Sequence, residues 1–171
     1  SMHRYLDVIV PRGGKSLVKR VQDEARIPVI GHLEGICHVY VHKSAKLNIS
    51  KEVILNSKMR RTGICGAAET ILIDRDVAPI FLKELIDNLI DAGCEVRGDE
   101  EVRGYSKTVI PSNDADWSTE YLDAIISCKI VNDVSEAIEH IENFGSGHTD
   151  SIIAEDSLAV TTFIKNVDSA I

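Results

Sequence analysis

The sequence predicts an α/β fold in which a mostly parallel sheet is flanked by helices. Three observations carry this. Short runs of β-branched apolar residues alternate with amphipathic segments along the whole chain. The segment 76–92 has the clearest helical pattern, with Val77, Phe81, Leu85 and Leu89 in one row and Leu82, Ile86 and Ile90 in the row beside it. Two adjacent rows at this spacing make a wide apolar stripe that must be buried. Glycine, proline and Asx residues then separate the segments, as they do between strands and crossover helices.

The elements follow in order. Tyr5 to Val10 reads as a buried strand ended by Pro11-Arg12-Gly13-Gly14, and residues 15–24 place Leu17, Val18 and Val21 on one helical face. Residues 28–31 read as a second short strand and 36–41 as a third. A helix is expected over 50–61, a strand over 69–73, and the striped helix over 76–92 with Gly93 as its stop. Residues 95–97 start another strand, whereas 99–120 are polar, contain Gly104, Pro111, Ser112 and Asn113, and read mostly as loop. Residues 124–131 are an apolar strand. Asp133 and Glu136 have capping-box spacing ahead of a helix that Gly145 ends. Residues 151–154 and 157–166 complete a strand and a helix, and 167–171 resemble the beginning of another strand.

The 171 residues include 44% hydrophobic and 27% charged residues, ordinary globular usage for one domain. No stretch approaches the ~18 uncharged apolar residues of a membrane span. A net charge of −8 disfavours binding to nucleic acid. The four cysteines lie far apart with no Cys-x-x-Cys pair, which argues against a zinc site and a disulfide framework and fits a reducing cytoplasm. Ser1 ahead of Met2 reads as an expression remnant, and both ends read as if taken from a longer chain. Residues 1–31 differ in flavour from 32–171 and read as a strip of a neighbouring domain.

Three clusters invite chemistry. Gly14-Lys15-Ser16 resembles the end of a phosphate-binding loop, but the motif needs a glycine five positions before Gly14, where Ile9 stands. What survives is a helix start preceded by Arg12, Gly13 and Gly14, whose free backbone N–H groups suit an anion. His32, Cys37, His38 and His42 suggest a metal. On a strand, however, His38 and His42 lie roughly 13 Å apart, too far for one ion. The third cluster is Cys65. Arg60 and Arg61 precede it, and cationic neighbours lower a thiol pKa. Gly63 and Gly66 flank it and leave room for a carbonyl to approach. Cys37, Cys94 and Cys128 sit in apolar settings and read as inert.

Four stretches together resemble one family. They are Asp7 to Gly14 with its helix, Pro28 to Val41, Arg61 to Thr70, and Gly145 to Asp150 with Glu155-Asp156. In order and spacing they are similar to the gamma-glutamyl phosphate reductase (glutamate-5-semialdehyde dehydrogenase) family of proline biosynthesis, within the aldehyde dehydrogenase superfamily. The resemblance implies an aldehyde-dehydrogenase-like catalytic domain with Cys65 as catalytic thiol and NADP as cofactor. It implies dinucleotide contact at Arg12, Gly13 and Gly14, and contact of Glu120 with the nicotinamide ribose. It further implies L-glutamyl 5-phosphate as substrate, a cytoplasmic location, and a homo-oligomeric parent. Arg60, Arg61 and His148 are candidate substrate contacts. His32 stands where hydrolytic relatives carry a water-activating glutamate, and Glu34 lies two residues on with its role open. Two alternatives remain at this stage: a non-catalytic α/β interaction module, and a hydrolytic aldehyde dehydrogenase acting through Glu34.

Overall fold

The computed structural model describes residues 2–171, so Ser1 lies outside it. The chain divides into two compact units, 1–34 and 35–171.

In the first unit, helix α1 (Lys15–Glu24) occupies the predicted range and buries Val18. The strand predicted over 5–10 forms only an isolated parallel bridge between Ile9 and Val29, where Ile9 N–H donates to the Pro28 carbonyl at 3.0 Å. Tyr5 is 85% exposed and Val10 63% exposed, so the expected burial is corrected. Two short extended segments cannot cover both of their faces by themselves.

The second unit holds a six-stranded, all-parallel sheet. Its strands are β1 (Cys37–Val41), β2 (Ala68–Asp74), β3 (Glu95–Gly98), β4 (Ile110–Pro111), β5 (Ile125–Val131) and β6 (Asp150–Ile153). Their spatial order is β4-β3-β5-β2-β1-β6. Every residue of β1 and β2 is buried, as expected of central parallel strands covered on both faces. The helices are α2 (Leu47–Met59), α3 (Ala78–Asp91), the short α4 (Glu100–Arg103), α5 (Val134–Phe144) and α6 (Ser157–Asn166).

The period-2 alternation of the strands divides the core into two layers. Val39, Val41, Ile71, Ile73, Ile126 and Cys128 pack with Ile54 of α2 and with Phe81, Leu82, Leu85, Ile86 and Leu89 of α3. Tyr40, Leu72 and Val131 pack with Ala137, Ile138 and Ile141 of α5 and Phe163 of α6. The striped segment is therefore helical, as its two rows require, and Gly93 follows it at φ +84°.

Four expectations change. Helix α2 begins at Leu47 rather than residue 50. Residues 99–120 contain α4, β4 and a 3₁₀ turn over Asp114–Ser118, where Asn113 and Asp116 form a reciprocal capping box. At α5, Asp133 accepts from the N–H groups of Ser135 and Glu136, but the Glu136 carboxylate takes the N–H of Asn132, one residue before the position a capping box requires. Residues 167–171 form no assigned strand, although Ala170 and Ile171 N–H donate to the carbonyls of Gly147 and His148 at 3.0 and 3.1 Å.

Candidate active site

Within the second unit, the segments that enter β1, β2, β5 and β6 meet at the edge where the strands begin. Residues 35–36, 60–67, 120–124 and 145–149 lie along this edge and are joined there by hydrogen bonds. Parallel α/β sheets more often bind ligands at the opposite, carboxyl edge.

Cys65 lies in the connection between α2 and β2. It is exposed, whereas Cys37, Cys94 and Cys128 are buried. Burial pushes the Cys37 and Cys94 thiols up to about 12 and about 11, and raises Cys128 further. These three stay protonated and cannot serve as nucleophiles near neutral pH. Cys65 sits in a turn closed by Ala67 N–H donating to the Ile64 carbonyl at 3.0 Å. Its own carbonyl points inward and accepts from Cys37 Sγ at 3.1 Å. The backbone of Gly35 lies against that carbonyl so closely that a Cβ there would stand 1.9 Å from the oxygen.

The anchoring continues outward from Gly35. Its N–H donates to Glu120 Oε1 at 2.9 Å, and Ile36 N–H donates to Ser146 Oγ at 2.9 Å. His148 places Nδ1 2.8 Å from Thr149 Oγ1 and 3.9 Å from Cys37 Sγ. Arg60, the residue that caps α2, and Arg61 are both exposed. Neither forms an ion pair among the described residues.

A buried ion pair absent from the sequence reading spans the base of the Cys65 connection. Lys58, the penultimate residue of α2, meets Glu69, the second residue of β2, with Nζ 2.6 Å from Oε2. Burial raises the Glu69 carboxyl while Lys58 and the Leu122 N–H pull it back. A signal was present. Lys58 extends the buried Ser50 and Ile54 row of α2, and Glu69 interrupts an apolar strand. Opposite charges at two buried positions imply that they pair.

In the first unit, Arg12, Gly13 and Gly14 precede α1 and are exposed. No side chain caps that helix, and a Cβ on Gly14 would meet nothing within 4 Å. Glu34 forms an ion pair with Lys15. The described residues contain no group of three or more His, Cys, Asp or Glu side chains able to hold a metal ion. They also contain no helix long and apolar enough to cross a membrane.

No family model matches the chain. Solved structures place the fold. It superposes on an acetylating aldehyde dehydrogenase from Geobacillus thermoglucosidasius with TM-score 0.70 at 22% identity, over 98% of this chain and 45% of that one. An NADP complex of the NADP-dependent glyceraldehyde-3-phosphate dehydrogenase from Bacillus halodurans gives TM-score 0.74 at 20% identity, over 99% of this chain and 44% of that one. The architecture is thus that of the aldehyde-dehydrogenase-like α/β proteins.

Sequence narrows this further. The gamma-glutamyl phosphate reductase of Rhodopseudomonas palustris is 60% identical over 166 residues, 97% of this chain and 39% of its own length. That of Paramagnetospirillum magneticum is 59% identical over 170 residues, 99% of this chain and 40% of its own length. The crystal structure of the Thermotoga maritima gamma-glutamyl phosphate reductase superposes with TM-score 0.94 at 41% identity, over 99% of this chain and 41% of that chain. The chain is a homologue of gamma-glutamyl phosphate reductases and spans about two fifths of the length of the curated relatives it matches.

Proposed function

We propose that this chain carries the nucleophile-bearing part of an NADPH-dependent gamma-glutamyl phosphate reductase, which makes glutamate 5-semialdehyde and phosphate in cytoplasmic proline biosynthesis. One observation carries the reading: the exposed thiol is Cys65, the cysteine that the family resemblance selects, while the other three are buried.

A free carboxylate is a poor hydride acceptor, but an acyl phosphate has a good leaving group. The Cys65 sulfur attacks the γ-carbonyl carbon, a C–S bond forms, and the C–O bond to phosphate breaks with its electron pair leaving on phosphate. The Cys65 N–H serves as one donor to the oxygen that becomes negative during attack. Arg60 and Arg61 supply guanidinium groups for the phosphate or the substrate α-carboxylate, both of which a guanidinium matches in bidentate geometry. His148 is a lesser candidate for substrate contact, since its Nδ1 is engaged with Thr149.

The residues present fit a dinucleotide in part. Arg12, Gly13 and Gly14 form an uncapped helix start with open space at Gly14, which suits a phosphate. Glu120 has one carboxylate oxygen committed to Gly35, which leaves Oε2 for a ribose hydroxyl. NADPH, when bound, supplies the hydride that converts the thioester to the aldehyde. Residues 1–31 then belong to the cofactor domain and 32–171 to the catalytic domain of a homo-oligomeric parent. The 171-residue chain by itself is expected to lack turnover.

The hydrolytic alternative needs Glu34 as a base, and its carboxylate is paired with Lys15. The deciding assay is NADP-linked oxidation of glutamate 5-semialdehyde by the full-length protein. Turnover should require phosphate and vanish in Cys65→Ala. Turnover without phosphate supports the hydrolytic reading, and near-normal activity of Cys65→Ala ends the proposal.

A further inference from the structure

We infer that Cys37 is a positioning residue for the reaction. Its S–H pins the Cys65–Gly66 peptide so that the Gly66 N–H faces outward beside the Cys65 thiol as a second donor to the developing oxyanion. The inference rests on the function proposed above.

Ile64 to Ala67 is a β-turn, closed by the bond from Ala67 N–H to the Ile64 carbonyl. The Cys65–Gly66 peptide is its central peptide. In such turns that peptide has two arrangements, type I and type II, which differ by a flip of roughly 180°. Type II needs a positive φ, near +80°, at the third residue, here Gly66, and glycine alone adopts it without penalty. Gly66 is not among the glycines with positive φ, so the turn has the other sense. The Cys65 carbonyl accordingly points inward.

Two contacts hold it there. Cys37 Sγ donates at 3.1 Å, and the absence of a side chain at Gly35 leaves the oxygen its space. No cis peptide bond occurs among the described residues. In a trans peptide, C=O and N–H point in opposite directions. An inward carbonyl therefore fixes an outward Gly66 N–H, on the exposed side where the Cys65 side chain lies. That N–H has no partner among the described residues. Cys37 is suited to the task because burial, and secondarily Asp150, push its thiol up to about 12 and keep the S–H donor in place. Without that donor, glycine at position 66 makes the flip easy, and the flipped turn presents a carbonyl dipole where the oxyanion forms.

The test uses the full-length enzyme with Cys37→Ala and Cys37→Ser. Loss of a whole oxyanion donor costs roughly 10²–10³-fold in kcat. Cys37→Ala should lower kcat by at least about tenfold with KM little changed, while alkylation of Cys65 by iodoacetamide, followed on its peptide by mass spectrometry, keeps its rate and pH profile. Cys37→Ser, which restores a donor, should recover most of kcat. In crystals of Cys37→Ala, Gly66 should show positive φ, alone or as one of two conformers. Unchanged kcat in Cys37→Ala overturns the inference. So does a parallel loss of Cys65 alkylation, which would mean the thiol itself had moved, or a Ser variant as impaired as Ala. Should the wild-type enzyme show no phosphate-dependent turnover, the proposed function fails instead. The Gly66 φ in Cys37→Ala still judges the pinned peptide: unchanged negative φ refutes it.

Discussion

Lys58 Nζ and Glu69 Oε2 meet at 2.6 Å with both side chains essentially inaccessible to water, one at the end of α2 and the other at the start of β2. The pair staples together the two ends of the connection that carries Cys65. Removing one partner strands a charge in the core, which typically costs about 3–5 kcal/mol, whereas replacing both with neutral groups of similar size can be close to neutral. Glu69 Oε1 also accepts from Leu122 N–H, so the replacement must keep an acceptor.

Lys58→Met is therefore expected to lower unfolding stability by about 3–5 kcal/mol. Adding Glu69→Gln should recover most of the loss. Urea unfolding of the two single variants and the double variant supplies the cycle. Additive losses would show that the two side chains are not coupled.

His140 gives a pH dependence with a defined sign. It is buried in α5, with ring centroids 5.5 Å from His38, 5.5 Å from Trp117 and 4.7 Å from Phe144. Neither ring nitrogen has a hydrogen-bond partner among the described residues. Burial, then His38 and Lys129, lower its pKa from 6.5 to about 3. Between these two values the unfolded chain binds a proton that the folded chain does not. Stability contributed by this group is thus intact above about pH 6.5 and falls as pH drops toward 3. The slope approaches about 1.4 kcal/mol per pH unit. Urea midpoints at pH 7 and pH 5, read from the fluorescence of the single tryptophan, should differ less in His140→Phe than in the native sequence. Equal shifts would refute this account.

Gly35→Ala should disrupt the Cys65 turn. The added carbon would lie 1.9 Å from a backbone oxygen, and a carbonyl cannot swing away as a flexible side chain can. Overpacking of this kind costs about 1–3 kcal/mol. A thermal scan should show the loss. A crystal structure of the variant should show the 64–67 turn displaced; an undisturbed turn with unchanged stability would contradict the contact.

Thiol accessibility separates the cysteines without any assay of function. Under native conditions an aromatic disulfide reagent should modify one of the four cysteines rapidly, and all four after denaturation. Cys65→Ser should eliminate the rapid phase. A rapid phase that survives this substitution would show that a buried thiol is reachable.

Elements marked by local chemistry were readable in the sequence. Helix α6 begins where Asp156 accepts from the Leu158 and Ala159 N–H groups, and α3 displays its two apolar rows. The weakly patterned stretches were not. Residues 99–120 carry cap residues, Asp99 at α4 and Asn113 with Asp116 at the 3₁₀ turn, but too little apolar periodicity to announce elements of four or five residues. Tyr5 to Val10 shows the reverse failure. Its apolarity states a preference for burial and says nothing about what covers it.

The sequence by itself determined the α/β class, most of the helix and strand order, and Cys65 as the thiol with small neighbours and nearby arginines, because each depends on residues within a few positions of one another. Tertiary structure alone decided that the Cys65 carbonyl turns in toward Cys37 and Gly35 and that Glu120 reaches across 85 residues to the Gly35 N–H. Those contacts join the segments that enter β1, β2 and β5 of the parallel sheet. Their partners are chosen by strand order and register, which local residue patterns do not encode.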